Sequence, residues 1–255
     1  APRLTANQGL GPDALTGLRL TDAMRAFLVG RCGAMPVDFD PQGERVLVPR
    51  GNFVSGGDAS ADERPLRIAH LAEPVWLDRA PITNAQWAAF LDAVPDDRVD
   101  ANYLAHWGVE RQLPTSEAEA PVYGIWPEDA DRYARWAGGR LPSPEEWEKG
   151  ARGIDGRRWS WGDHYRPVAA TAELGLSHPL PVRALGAHGD AGLFSAIGGV
   201  FEYTSADWRG QANRGRVVMG GCFPHPATTA RAGLRLSHKL SGNLKVGLRV
   251  ARSAE

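Results

Sequence analysis

Cys222 and His225 lie three residues apart in "MGGCFPHPATTARAGLRL", residues 219–236, a stretch of Gly, Pro and Thr of the kind that runs along a surface. A thiol and an imidazole at that spacing allow three chemistries: a nucleophile with its base, a pair of metal ligands, or a bystander thiol in a binding loop. A metal needs one or two further ligands, and no cluster with zinc spacing accompanies the pair. A nucleophile needs an orienting partner and an oxyanion hole, and the sequence locates neither. His70, His106, His164, His178, His188 and His238 are scattered without a close pair, as expected of solvated or hydrogen-bonded side chains. The recognition alternative draws on Cys222, Phe223, His225, Thr228, Thr229, Arg231, Arg235, His238, Lys239 and Asn243. Their mixed aromatic, cationic and hydrogen-bonding character suits a protein or peptide partner.

Such a loop needs a scaffold to hold its ends. "NAQWAAFLDAV" places Trp87, Phe90, Leu91 and Val94 at helical spacing behind a cap at Thr83 or Asn84. "WPEDADRYARWAGG" predicts a second helix, with Pro127 in the first turn, Glu128 and Asp129 at the positive end, and Gly138 with Gly139 as the stop. "LPSPEEWEKGARG" repeats that grammar with Ser143 as cap, Pro144 at the first position and Glu146 completing a capping box. "ERVLVPRGNFVSGG" predicts a strand and tight turn, and "RPLRIAHLAEPVWLDRAPIT" a second strand pair. After "RRWSWGD" only short apolar pieces remain between Gly, Pro, Asn and Asp, which predicts a loop-rich half held by short strands. Leu248 and Val250 flank Arg249 as in a closing strand with one buried face. Near the N-terminus Leu20, Met24, Phe27 and Leu28 share a helical face, so residues 1–45 are expected to form an extension packed on a main domain at 46–255.

Bulk composition narrows the functional classes. With 29 Lys and Arg against 30 Asp and Glu, no excess of positive charge exists to neutralise nucleic-acid phosphates. No apolar run approaches the roughly 20 residues of a membrane helix. Nine Trp and 30 Gly suit a core of wide indole rings joined by frequent turns. Two cysteines allow at most one bridge, Cys32 to Cys222. The sequence starts at Ala1 without a basic and apolar leader, as expected of a mature exported chain or a trimmed fragment, and a periplasmic or cell-surface location is favoured.

Six pieces then occur in order: "APITNAQWAAFL", "PVYGIWPEDADRYARWAGGRLPSPEEWEKGARG", "WSWGD", "GLFSAIGGVFEYTSADW", "VVMGGC" and "VGLRVAR". Together, from Val46 to Arg252, they resemble the formylglycine-generating enzyme, or sulfatase-modifying factor, family. The resemblance implies an α+β, C-type-lectin-like fold with two helices, small twisted antiparallel sheets and long loops. It also implies copper and oxygen chemistry at two cysteines, three and eight residues beyond the residue that follows the paired glycines. Here those positions hold His225 and Ala230, while Cys222 stands where the pattern has Ser. One thiol cannot form a bis-thiolate site for soft Cu(I), so no copper is expected. A related branch uses non-haem iron held by paired histidines of a separate N-terminal bundle, and residues 1–40 contain no histidine. The family's structural Ca²⁺ turn corresponds to "IGGVFEY", which implies a calcium site at Glu202 with Ile197, Gly198 and Val200, although Gly199 replaces the usual Asn. The resulting expectation is a noncatalytic ligand- or protein-binding protein: a secretion or kinase-signalling accessory, or a variable receptor of a diversity-generating retroelement. A divergent metal-dependent oxidoreductase working through Cys222 and His225 is the alternative.

Overall fold

Pro49 cannot donate to a strand ladder, and Gly51 follows it by two residues, so the apolar stretch from 45 to 55 breaks into two strands. The computed structural model describes residues 30–57, 59–94, 102–164, 166, 176–226, 229–241 and 244–254. Its first strands are β1 (Asp38–Phe39), β2 (Arg45–Val48), β3 (Gly51–Ser55), β4 (Arg67–Leu71) and β5 (Val75–Asp78). The sequence pairs the stretches at β4 and β5 with each other, and the structure does not. β4 runs antiparallel to β3, with Phe53 opposite Ala69, whereas β5 pairs with β2, with Val46 opposite Leu77. Burial explains the choice: Val46, Val48, Val75 and Leu77 form one buried face, while β4 stays largely exposed.

Among the described residues three α-helices follow where the resemblance implies two: α1 (Asn84–Ala93), α2 (Pro127–Trp136) and α3 (Pro144–Arg152). Thr83 and Gln86 cap α1 reciprocally, as Ser143 and Glu146 cap α3. Trp87 of α1 stacks on Tyr133 of α2, centroids 5.2 Å apart, and Phe90 closes the cluster edge-on. The expected N-terminal helix face lies outside the described residues. β1 already pairs with β2, so the presumed extension supplies a strand to the first sheet.

The C-terminal half holds β6 (Ala187–His188), β7 (Leu193–Phe194), β8 (Phe201–Asp207), β9 (Arg216–Met219), β10 (Leu236–Ser237), β11 (Val246–Gly247) and β12 (Ala251–Ser253). One sheet has the order β1-β2-β5-β12 and the other β10-β9-β8-β11. β11 runs parallel to β8, with Val246 opposite Phe201, a departure from the all-antiparallel expectation. The long connection from β8 through β9 and β10 removes the hairpin constraint that would have forced the opposite sense. Among the described residues no helix is long and apolar enough to cross a membrane.

Residues 248–250 depart from simple alternation, because Leu248, Arg249 and Val250 are all fully buried. Arg249 donates from Nε and Nη2 to Glu202, each at 2.9 Å, and from Nη1 to the carbonyls of Asp78 and Arg79, each at 2.7 Å. Its Nη2 also reaches the carbonyl of Phe194 at 3.0 Å, and Trp147 Nε1 donates to Glu202 at 2.7 Å. One buried ion pair therefore joins both sheets, α3 and β7. Arg249→Met leaves the Glu202 carboxylate buried without its cation and is expected to lower the unfolding free energy by about 3–5 kcal/mol. Urea denaturation measures this, and an unchanged midpoint would refute it.

Candidate functional site

Gly220 and Gly221 turn the chain out of β9 with φ of +100° and +79°. A Cβ at Gly221 would lie 2.5 Å from the Ala230 Cα, and one at Gly220 would lie 2.6 Å from the Ala196 carbonyl, so both the turn and the space require glycine. The turn carries Cys222 inward. Its side chain is fully buried in the aromatic cluster with Phe201, Tyr203 and Val246, and both cysteines are free thiols. Burial pushes the Cys222 thiol up to about 11, against a smaller opposing pull from the Lys245 main chain and charge. His225 meets Cys222 only through the main chain, N–H to carbonyl at 3.0 Å, and its ring stands edge-on to Phe201.

The remaining loop residues expected to recognise a partner separate into anchors and surface. Phe223 is buried against Tyr123 and Val200. Arg231 donates to Glu63, and Arg235 donates to Glu148 at 2.5 Å and to Ser55 at 3.2 Å. Glu148 is fully buried and also accepts from Arg152, so these arginines staple the loop to β3 and α3. Both guanidinium charges are thus spent on internal carboxylates, and burial of Glu148 demands such a cationic partner. Thr229 Oγ1 donates to the Pro226 carbonyl at 2.8 Å. Lys239 is exposed, whereas Thr228 and Asn243 lie outside the described residues.

The calcium expectation at Glu202, Ile197, Gly198 and Val200 meets the ion pair already described. Both Glu202 oxygens accept from Arg249, and one of them also accepts from Trp147, so a cation there would have to expel a guanidinium. The donor set fits an arginine partner. The Gly198 N–H is bound to the Gly220 carbonyl at 2.8 Å, and Ile197 and Val200 are buried as apolar packing. Copper fares no better, since His225 and Ala230 supply no second thiolate. Among the described residues no group of three or more His, Cys, Asp or Glu side chains could hold a metal ion.

What the fold does open is a cleft of about 600 Å³ at the edge of the second sheet. Tyr203 of β8, His238 just after β10 and Lys245 just before β11 line it together with His106, Tyr123 and Trp126. The imidazole of His106 stacks on Tyr123, centroids 3.8 Å apart, and Lys245 Nζ sits 5.6 Å from the same tyrosine ring. Asn84 Nδ2 donates to the Glu117 carbonyl, leaving Oδ1 to accept from Trp107 Nε1 at 2.9 Å and from His106 Nε2 at 3.1 Å. His106 therefore carries its proton on Nε2, by inference from its partners. Burial first, then the Lys245 charge, drives its pKa down to about 3, so the ring is neutral. His238 accepts the Arg216 N–H at Nδ1 at 2.8 Å, and burial lowers its pKa too.

Of the residues expected to recognise a partner, His238 is the one among the described residues that lines this cleft. His106 is expected from sequence to be solvated or hydrogen-bonded, and no spacing rule marks Tyr123, Trp126, Tyr203 or Lys245. The available signal was weak: Tyr123 and Trp126 lie in "PVYGIWPED", and Lys245 immediately precedes "VGLRVAR".

Comparison with known proteins agrees with this architecture. The sulfatase-modifying factor enzyme 1-like domain model matches residues 34–254. A formylglycine-generating enzyme of Thermomonospora curvata is 31% identical over 249 residues, covering 70% of this chain and 82% of that protein. A hercynine oxygenase of Mycolicibacterium smegmatis is 35% identical over 206 residues, and the match spans 66% of this chain but 46% of the relative, less than half its length. The protein named inactive C-alpha-formylglycine-generating enzyme 2 of Mus musculus is 27% identical over 232 residues, covering 70% of this chain and 73% of the relative. Among solved structures, PvdO from Pseudomonas aeruginosa superposes with a TM-score of 0.66 at 22% identity, covering 87% of this chain and 99% of PvdO, which speaks for the shared fold. Fold, motif order and domain match agree, and the chain belongs to the sulfatase-modifying factor enzyme 1-like domain family.

Proposed function

We propose that this chain is a noncatalytic recognition protein, regulatory or receptor-like, that uses the family scaffold to hold a ligand in the cleft beside Lys245. The observation that carries the reading is the state of its sulfur. The thiol of Cys222 is buried and protonated, and His225 and Ala230 occupy the positions where the family's oxidase pattern places thiolates. Nucleophilic and soft-metal chemistry both need thiolate, and raising a thiol pKa works against both. The cleft, by contrast, has what recognition needs: a cavity of ligand size, aromatic walls and a few fixed polar groups. The relative named inactive C-alpha-formylglycine-generating enzyme 2 gives the same scaffold a precedent without the activity in its name.

The reading is tested on the purified protein incubated with Cu(I), oxygen and a cysteine-containing peptide. The expected outcome is an unchanged peptide mass and substoichiometric copper and iron by elemental analysis. Stoichiometric copper or iron that is lost in Cys222→Ser would overturn the reading in favour of the oxidoreductase alternative. Thiol reactivity gives a second check. With its pKa near 11 rather than at the ordinary 9.0, Cys222 is expected to alkylate at least about 100-fold more slowly than a free cysteine at neutral pH. Mass spectrometry after timed iodoacetamide exposure measures that rate, and labelling as fast as in the denatured chain would contradict the buried thiol.

A further inference from the structure

Resting on the cleft as a recognition site, we propose that its ligand is a planar aromatic acid, whose carboxylate is taken by Lys245 and whose ring packs against Trp126, over a floor backed by Tyr123 and Tyr203. The cation comes first. Neighbouring arginines already have anions: Arg249 has Glu202, Arg216 has Asp131, Arg235 has Glu148 and Arg231 has Glu63. Lys245, which borders the cleft, pairs with no carboxylate among the described residues, and its charge is bounded only by the Tyr123 ring. A cation held at the rim of an aromatic cavity without a counter-ion is a position for an incoming anion.

The surrounding groups fix the charge of that anion. Both imidazoles in the wall, His106 and His238, have pKa values lowered by burial and stay neutral. The cleft therefore offers one positive charge, which matches a monoanionic carboxylate and falls short of the several cations or main-chain amides that a phosphate dianion draws. His238 accepts the Arg216 N–H at Nδ1, so its neutral ring holds its proton on Nε2 and adds a donor rather than a charge.

The walls fix the body of the ligand. The phenol of Tyr203 is held by its donation to the Ile125 carbonyl at 3.2 Å, with His238 edge-on to its ring at 5.4 Å. Tyr123 is held by the His106 stack, and with 6% and 2% exposure Tyr123 and Tyr203 are a fixed backing to the cleft, while Trp126 is the ring left partly exposed. Rigid rings favour a flat partner by offset or edge-on packing, and little freedom is lost on binding. A volume of about 600 Å³ accepts one or two fused rings with a short acidic arm.

Isothermal titration with 2-naphthoate and its neutral isostere 2-naphthamide tests the proposal on the intact chain. The acid is expected to bind about 10-fold or more tightly than the amide, the scale of one charge-assisted contact. Lys245→Met should erase that difference, and Lys245→Arg should retain it, with melting curves checking that both variants fold. Equal affinity for acid and amide, with both weakened by Trp126→Ala, would overturn the acid preference and leave the cleft as a recognition site. An acid affinity unmoved by Lys245→Met would overturn it as well. Binding of neither compound would reject both the aromatic acid and the cleft, while the sulfur argument against oxidation would stand on its own metal and peptide measurements.

Discussion

Everything in the fold converges on the Glu202–Arg249 pair, both members of which are fully withdrawn from solvent. A pair of this kind is a poor net source of stability, because desolvating two ions offsets most of their attraction. Its value lies in position. Arg249 donates to three main-chain carbonyls, at Asp78, Arg79 and Phe194, and so satisfies acceptors from two separate segments at once. Glu202 in turn holds the indole of Trp147, which stands at the centre of the first core cluster. A loop-rich chain with few long elements needs such a polar hub, since its carbonyls are not satisfied by ladders.

Local signals in the sequence carried the helices well. Thr83, Ser143, Pro127 and Pro144 act within one turn of themselves, so their effect is legible without knowing what lies across the core. Strand partnership was not legible in the same way. The stretches at β4 and β5 read as a pair because they are adjacent, yet each found its partner through a buried face that forms only when the sheet does. Arg249 illustrates the same gap: flanked by Leu248 and Val250 it looks like the outward residue of a strand, and only its partner Glu202, 47 residues away, explains its burial.

The cleft was largely hidden for that reason. Its polar groups come from separated segments, around His106, Tyr123, Tyr203, His238 and Lys245, and no spacing rule links them. The loop between β9 and β10 drew attention instead because it holds a rare thiol and several cations. Arg231 and Arg235 proved to be fasteners, their charges consumed by Glu63 and by Glu148, an acid with no exposure of its own. A cation counts toward recognition only after internal acids have claimed theirs, and that subtraction needs coordinates.

Desolvation ties the remaining chemistry together. The same withdrawal of water that keeps Cys222 protonated also keeps His106 neutral in the wall of the cleft. Lys245 borders the cleft with its Nζ 5.6 Å from the centroid of the Tyr123 ring. An active site raises the availability of thiolate or of a poised base; here the fold moves both the other way and leaves one uncompensated charge facing aromatic walls. On the proposed reading, that distribution of charge suits holding a ligand over transforming it.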